Sequence, residues 1–313
     1  MNGFSIVCGL IIAASLVPAR AIAATFSEIV VYGDSLSDVG RFYTASGGTI
    51  PLSPPYSDGR FSNGPLWVEY LATSLDIANN PSTNFAVGNA KTDSHPQDSV
   101  PGLIGIKQQI ENNSVGNSDA LYVIWGGAND YLDLANPSTP SVTVGNLTAQ
   151  IGTLIGRGAK NILVPNLPNL GQLPSTLTSP ASGLLDTATQ LHNRGLAASI
   201  SNLSLSNPTV KLSLLDVNSL FNTASSSGFT NITDKCITSP DCTPDTYLFW
   251  DEVHPTTAGH KRIGDLAFNV VSLTAVPEPM TMLGSLAAVS SAIAFKRKLK
   301  SSSLKAKELV KNI

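Results

Sequence analysis

Two stretches far apart in the chain carry side chains that could perform acyl chemistry together. One is Gly33-Asp34-Ser35-Leu36, where a serine follows an apolar run. The other is Asp251-Glu252-Val253-His254, where a carboxylate stands three residues before an imidazole. A serine hydroxyl is a weak nucleophile until a base takes its proton, and the base in turn needs an orienting group. The D-x-x-H spacing lets Asp251 accept from the Nδ1–H of His254, which leaves Nε2 free to face Ser35. Neither stretch decides the matter by itself. A serine after a strand is ordinarily a helix N-cap, Ser35 lacks the G-x-S-x-G elbow, and Asp–His pairs also occur in plain loops. The other candidate bases are weaker: His95 sits in a polar loop, His192 reads as a surface or packing residue of a helix, and His260 falls inside the last predicted helix.

The elements that must bring these residues together are visible as alternating apolar runs and helical patterns, the signature of a parallel sheet with crossover helices. Strands are predicted at Ile29 to Tyr32, Asn84 to Val87 (a short one), Ala120 to Trp125, Asn161 to Val164 and Val210 to Leu215. Helical spacing covers Leu66 to Leu75, Ile104 to Ile110, Val142 to Ile155, Leu184 to Ile200, and Thr256 or Thr257 to about Val271. Segments 44–58 and 222–246 read as loops. In open parallel sheets ligands bind beyond the carboxyl ends of the strands. Three predicted strands end in Ser35, in Gly88-Asn89 and in Gly126-Gly127-Ala128-Asn129-Asp130, so Ser35, Gly88 and Asn129 could converge.

These blocks resemble the GDSL/SGNH family of serine esterases and lipases. Val31 to Asp38 looks like the block that holds the family's nucleophile. Gly59-Arg60-Phe61-Ser62-Asn63-Gly64-Pro65-Leu66-Trp67-Val68-Glu69 looks like a stretch common in its lipase and haemolysin-like branch. Asn84-Phe85-Ala86-Val87-Gly88 and Gly126 to Asp130 are similar to the two oxyanion-hole blocks, and Asp251 to Thr256 matches the final D-x-x-H block. They occur in family order across residues 30–260. The resemblance implies a flavodoxin-like three-layer α/β/α sandwich with a five-stranded parallel sheet. It implies a triad of Ser35, His254 and Asp251, and an oxyanion hole of the Ser35 and Gly88 N–H groups with the Asn129 side chain. It implies no metal and no organic cofactor. Position 89 is Asn where relatives often have a second Gly.

The two ends read as targeting segments around a domain at 24–275. Residues 1–23 have an apolar run, Ile6 to Val17, before the small-residue stretch Ala21-Ile22-Ala23-Ala24, the layout of a secretory signal. Residues 276–300 join Pro277-Glu278-Pro279 to an apolar stretch and the cluster Lys296-Arg297-Lys298-Leu299-Lys300, which resembles a PEP-CTERM sorting signal. That resemblance implies an exosortase-type processing enzyme near Pro277-Glu278-Pro279 and a transient membrane anchor. A simple anchor or a surface helix is the alternative. A basic tail, 301–313, follows. Residues 24–295 hold 11 Lys and Arg against 21 Asp and Glu, so nothing in the body argues for nucleic acid. Cys8 falls in the leader. Cys236 and Cys242 form a C-x5-C pair that suits a local disulfide in an exported protein, ahead of free thiols, and is poor zinc spacing. The expected activity is hydrolysis of acyl or lipid esters. The rivals are an O-deacetylase of extracellular polysaccharide and a non-catalytic surface binding protein on the same scaffold.

Overall fold

The computed structural model describes residues 26–97, 100–113 and 116–273. The expectations for residues 1–23 and from 276 onward lie outside the described residues. Four parallel strands form the main sheet in the order β1 (Ile29–Gly33), β2 (Leu121–Trp125), β3 (Asn161–Pro165) and β4 (Lys211–Leu215). All five residues of β1 and of β2 are buried, as they must be when helices cover both faces of a parallel sheet.

The two faces are read off the alternation within β1. Ile29 and Val31 join a core cluster with Trp67, Val68 and Leu71 of helix α2 (Trp67–Ser74) and Ile263, Ala267 and Val271 of helix α8 (Thr257–Leu273). Val30 and Tyr32 point the other way, into a cluster with Ile106 and Ile110 of α3 (Ile106–Glu111), Leu147, Ile151 and Leu154 of α5 (Pro140–Gly156), and Leu196 and Ile200 of α6 (Ser182–Ser206). A period of two on a strand buried on both sides produces this three-layer arrangement. The α2 and α8 helices approach closely at Gly264, where an added Cβ would lie 2.9 Å from the Trp67 carbonyl oxygen.

The fifth predicted strand is present only in reduced form. Asn84 bridges Val31 in parallel, Phe85 donates to the Val31 carbonyl at 2.7 Å and Val87 to that of Gly33 at 3.1 Å, but no regular ladder forms. The Asn84 side chain bends the segment, accepting from Ala86 N and donating to the Ser37 carbonyl. This segment follows β1 in sequence yet lies on its outer edge. The chain therefore switches direction between β1 and β2, and the loops after those two strands diverge to open the crevice in which such folds bind ligands. The region 222–246, expected to be a loop, contains a strand, β5 (Asn231–Lys235), paired in parallel with β6 (Tyr247–Phe249). Three short helices, α1 (Arg41–Ala45), α4 (Ala128–Leu132) and α7 (Val217–Asn222), were also not expected.

Candidate active site

Ser35 leaves the carboxyl end of β1 in a turn fixed from several sides. The Asp34 carboxylate accepts the Leu36 N–H at 3.0 Å. The side-chain amide of Gln109, on α3, grips the strand end at both its polar groups, accepting from Gly33 N and donating to Gly33 O at 2.9 Å each. The Trp67 indole donates to Ser37 Oγ at 3.1 Å. Asp38 collects the N–H groups of Gly40, Arg41 and Phe42 and so starts α1.

His254 and Asp251 arrive together from the turn between β6 and α8. One carboxylate oxygen, Asp251 Oδ1, accepts the backbone N–H groups of Val253 (2.9 Å) and His254 (2.7 Å). The other, Oδ2, lies 2.7 Å from His254 Nδ1, and His254 Nε2 lies 2.8 Å from Ser35 Oγ. The three side chains expected to form a triad thus stand in one hydrogen-bonded line. Burial by itself would raise the Asp251 carboxyl, but the charge and hydrogen bond of His254 and the N–H donors of its own turn outweigh it and hold it at about 2. Asp34, fully buried beneath the site, is pushed up to about 7 by burial, a rise that the Leu36 N–H and His254 only partly oppose.

The D-x-x-H turn is braced from below. Cys236 and Cys242 are joined by a disulfide, with Cα atoms 5.2 Å apart. The residues beside that link hold the strand leading into Asp251: Cys236 N donates to Phe249 O and Ile237 N to Trp250 O, while Lys235 pairs with Glu252.

The oxyanion expectation needs one correction. The Gly88 N–H donates to Asp38 Oδ2 at 2.7 Å and is therefore not aimed at the site. Position 88 is glycine for a different reason: an added Cβ would lie 2.5 Å from the Phe61 ring. The neighbouring residue, Asn89, adopts a left-handed backbone with φ 63° and lines the cavity. Among the described residues neither the Asn89 N–H nor the Ser35 N–H has an acceptor, so both are available to a ligand. Asn129, in the first turn of α4, spends one amide hydrogen on the Ala90 carbonyl at 3.0 Å and retains the other. Asn suits the positive φ at position 89, since glycine is the usual residue in that conformation and Asn the best-tolerated substitute.

The remaining histidines are accounted for elsewhere. Burial lowers His192 to about 4, and it shares a hydrogen bond with the Tyr131 hydroxyl. Burial, with a contribution from His254, lowers His260 to about 3. His95 receives the Gln97 N–H on Nδ1 and bonds the Gly88 carbonyl through Nε2, so it holds the loop that carries Gly88 and Asn89.

Ser35 and His254 open onto a cavity of about 420 Å³. Its walls are apolar: Leu36, Trp125, Ala128, Leu170, Leu173 and Phe221 are all buried and line it, and Phe61 and Val253 also face it. The polar groups in the lining are few and include Ser35, His254, Asn89 and Asn129, the ones just described.

The chain matches the GDSL-like lipase/acylhydrolase family over residues 29–267. It is similar to a phosphatidylcholine-sterol acyltransferase of Aeromonas hydrophila, 34% identical over 223 residues, 69% of this chain and 65% of that protein. It is also similar to a thermolabile hemolysin of Vibrio parahaemolyticus, 26% identical over 269 residues, 76% of this chain and 62% of that protein. The chain thus spans somewhat less than two thirds of the length of these relatives. Among solved structures it shares the fold of a carbohydrate acetylesterase from Sinorhizobium meliloti, with a TM-score of 0.51 and 16% identity over 79% of this chain and 99% of that one. With the whole main sheet and all of its flanking helices but the last turns of α8 inside the matched span, the chain belongs to the GDSL-like lipase/acylhydrolase family.

Proposed function

We propose that the protein hydrolyses carboxylic esters of extended acyl chains through an acyl-enzyme on Ser35. The observation that carries this reading is the Ser35–His254–Asp251 line opening directly onto an apolar cavity of about 420 Å³. Ser35 Oγ attacks the ester carbonyl carbon while His254 Nε2 takes its proton. The negative oxygen that forms is met by the N–H groups of Ser35 and Asn89 and the free amide hydrogen of Asn129. Collapse breaks the bond to the alcohol, which receives the proton from His254, and the acyl group stays on Ser35. Water, activated by the same imidazole, then releases the acid. Asp251 keeps the proton on Nδ1 and stabilises the imidazolium.

The lining also bears on the rival glycan O-deacetylase. A sugar ester needs polar partners around its ring and only a small acyl site. Here the buried walls are Leu, Phe and Trp, which favour methylene chains. Because burying a methylene contributes about 0.8 kcal/mol, close to fourfold in kcat/KM, the gain from acetate to octanoate p-nitrophenyl esters is expected to exceed tenfold. Steady-state rates on an acetate, butyrate, octanoate and palmitate series check this. A profile that falls with length, together with faster release of acetate from an acetylated polysaccharide, would favour the deacetylase.

Export is part of the same reading. It is supported by the secretory layout of residues 1–23 and by the Cys236–Cys242 pair, since disulfides persist mainly in oxidising compartments. The intact mass of the protein recovered from the culture is expected to lack the first 23 residues. Recovery of the unprocessed chain in the cytosol would contradict it. The same mass reads whether processing occurs near Pro277-Glu278-Pro279.

A further inference from the structure

The Gly59 to Glu69 stretch stands out in the sequence, yet the proposed chemistry leaves it and the loop before it without a task. Its contacts give it one. Ser62 Oγ donates to the Pro255 carbonyl at 2.9 Å and Thr257 N donates to Asn63 Oδ1 at 2.8 Å, so the segment lies along the D-x-x-H turn and the start of α8. The Phe61 ring lies 5.1 Å from the His254 ring, centroid to centroid. Just upstream, the Tyr56 ring meets Phe61 and Trp250 edge-on, at 6.5 and 6.4 Å. The Tyr56 hydroxyl, 195 residues away in sequence, donates to Asp251 Oδ2 at 2.7 Å.

That bond completes a count. A carboxylate offers about four acceptor sites. Asp251, 4% exposed, receives Val253 N and His254 N on Oδ1, and His254 Nδ1 and Tyr56 OH on Oδ2. The backbone donors belong to the same turn as Asp251 and hold it only from one side. Tyr56 holds it from a separate segment of the chain, one that is itself pinned by the Tyr56 N to Leu52 O and Ser57 N to Ser62 O bonds. Tyr56 is not among the residues that line the cavity.

We propose that Tyr56 is a positioning residue for the catalytic pair: its hydroxyl fills the last acceptor site of Asp251 and fixes the plane of the carboxylate so that Oδ2 stays on His254 Nδ1. This rests on reading Ser35, His254 and Asp251 as the catalytic relay. The phenol also draws charge from Oδ2, so its removal makes Oδ2 a stronger but less well-aimed acceptor.

The test is Tyr56→Phe, which keeps the ring contacts and removes only the hydroxyl. On a soluble ester its kcat is expected to fall roughly tenfold with KM unchanged, well short of the ~10⁴ that loss of the orienting carboxylate costs. The far-downfield proton resonance of the His254 Nδ1–H···Oδ2 bond is expected to move further downfield. Tyr56→Ala, which also loses the packing, is expected to lower Tm further while its kcat stays near that of Tyr56→Phe. A Tyr56→Phe enzyme with unchanged kcat overturns the proposal, whatever its Tm. So does a loss of kcat with the resonance unmoved, or a change confined to KM. The resonance is read without turnover. If the wild-type protein cleaves no ester, the proposed function fails, and the Tyr56 proposal is still decided by whether the resonance moves.

Discussion

Replacing Ser35 with alanine is expected to lower kcat by a factor on the order of 10⁶ while leaving the fold intact. The size follows from what is removed. In the proposed mechanism Ser35 Oγ supplies the atom that bonds to the substrate, and among the described residues no other hydroxyl stands on His254 Nε2. What survives is the contribution of the oxyanion donors and of binding, typically ~10³–10⁴ over water. The stability cost is small because, among the described residues, Ser35 Oγ makes a single hydrogen bond, to His254, and removing one such bond costs about 1 kcal/mol. Rates on a soluble ester, measured beside a thermal melt, check both halves. A fluorophosphonate probe should label the wild-type chain once and the Ser35→Ala chain not at all. A variant that folds and keeps more than about 1% of wild-type kcat would move the nucleophile elsewhere, because removing a triad serine costs on the order of 10⁶ in kcat.

The parts of this site that could be read from sequence are those whose chemistry is local. Ser35, Asn129 and the Asp251–His254 pair each sit in a contiguous block, at a strand end or a turn, where residue type and spacing already limit the possible roles. Strands β1 and β2 were legible for a related reason: burial on both faces leaves an unbroken apolar run. The polar strand β5, Asn231–Lys235, has no such run and was read as loop, and the five- and six-residue helices α1, α4 and α7 are too short to show a period. Long-range hydrogen bonds were invisible. Nothing near Gln109 announces that it clamps Gly33, and nothing near Asp38 announces that it takes the Gly88 N–H. That second bond takes the Gly88 N–H away from the oxyanion role expected of it. The glycine at 88 marks crowding against Phe61, whereas the N–H left unpartnered belongs to Asn89.

Asp251→Asn carries the second largest expected loss, about 10⁴ in kcat with KM little changed. The substitution is nearly isosteric, so the effect comes from hydrogen placement. Oδ1 of the new amide can still accept from Val253 N and His254 N. That leaves an NH₂ group where Oδ2 stood, facing His254 Nδ1. To avoid a donor–donor clash the imidazole must carry its proton on Nε2, which then points a hydrogen at Ser35 Oγ instead of a lone pair. The same NH₂ faces the Tyr56 hydroxyl, which must turn from donor to acceptor to keep the contact. Stability supplies an independent reading through pH. The Asp251 carboxyl is held at about 2 in the folded protein, below its value near 4 in an unfolded chain. A depressed carboxyl stabilises the fold above the unfolded value and stops doing so as pH falls through the folded one. Its contribution at neutral pH is on the order of 2 kcal/mol. The stability gap between wild type and Asp251→Asn is therefore expected to narrow by about that amount between about pH 4 and about pH 2, and to stay constant above that window. Denaturant titrations across the range measure the gap, and rates on a soluble ester measure the catalytic loss. A variant with more than a tenth of wild-type kcat would mean that His254 finds its tautomer without Asp251. A gap that is flat down to pH 2 would mean that the carboxylate is not held in the charged form by the turn around it.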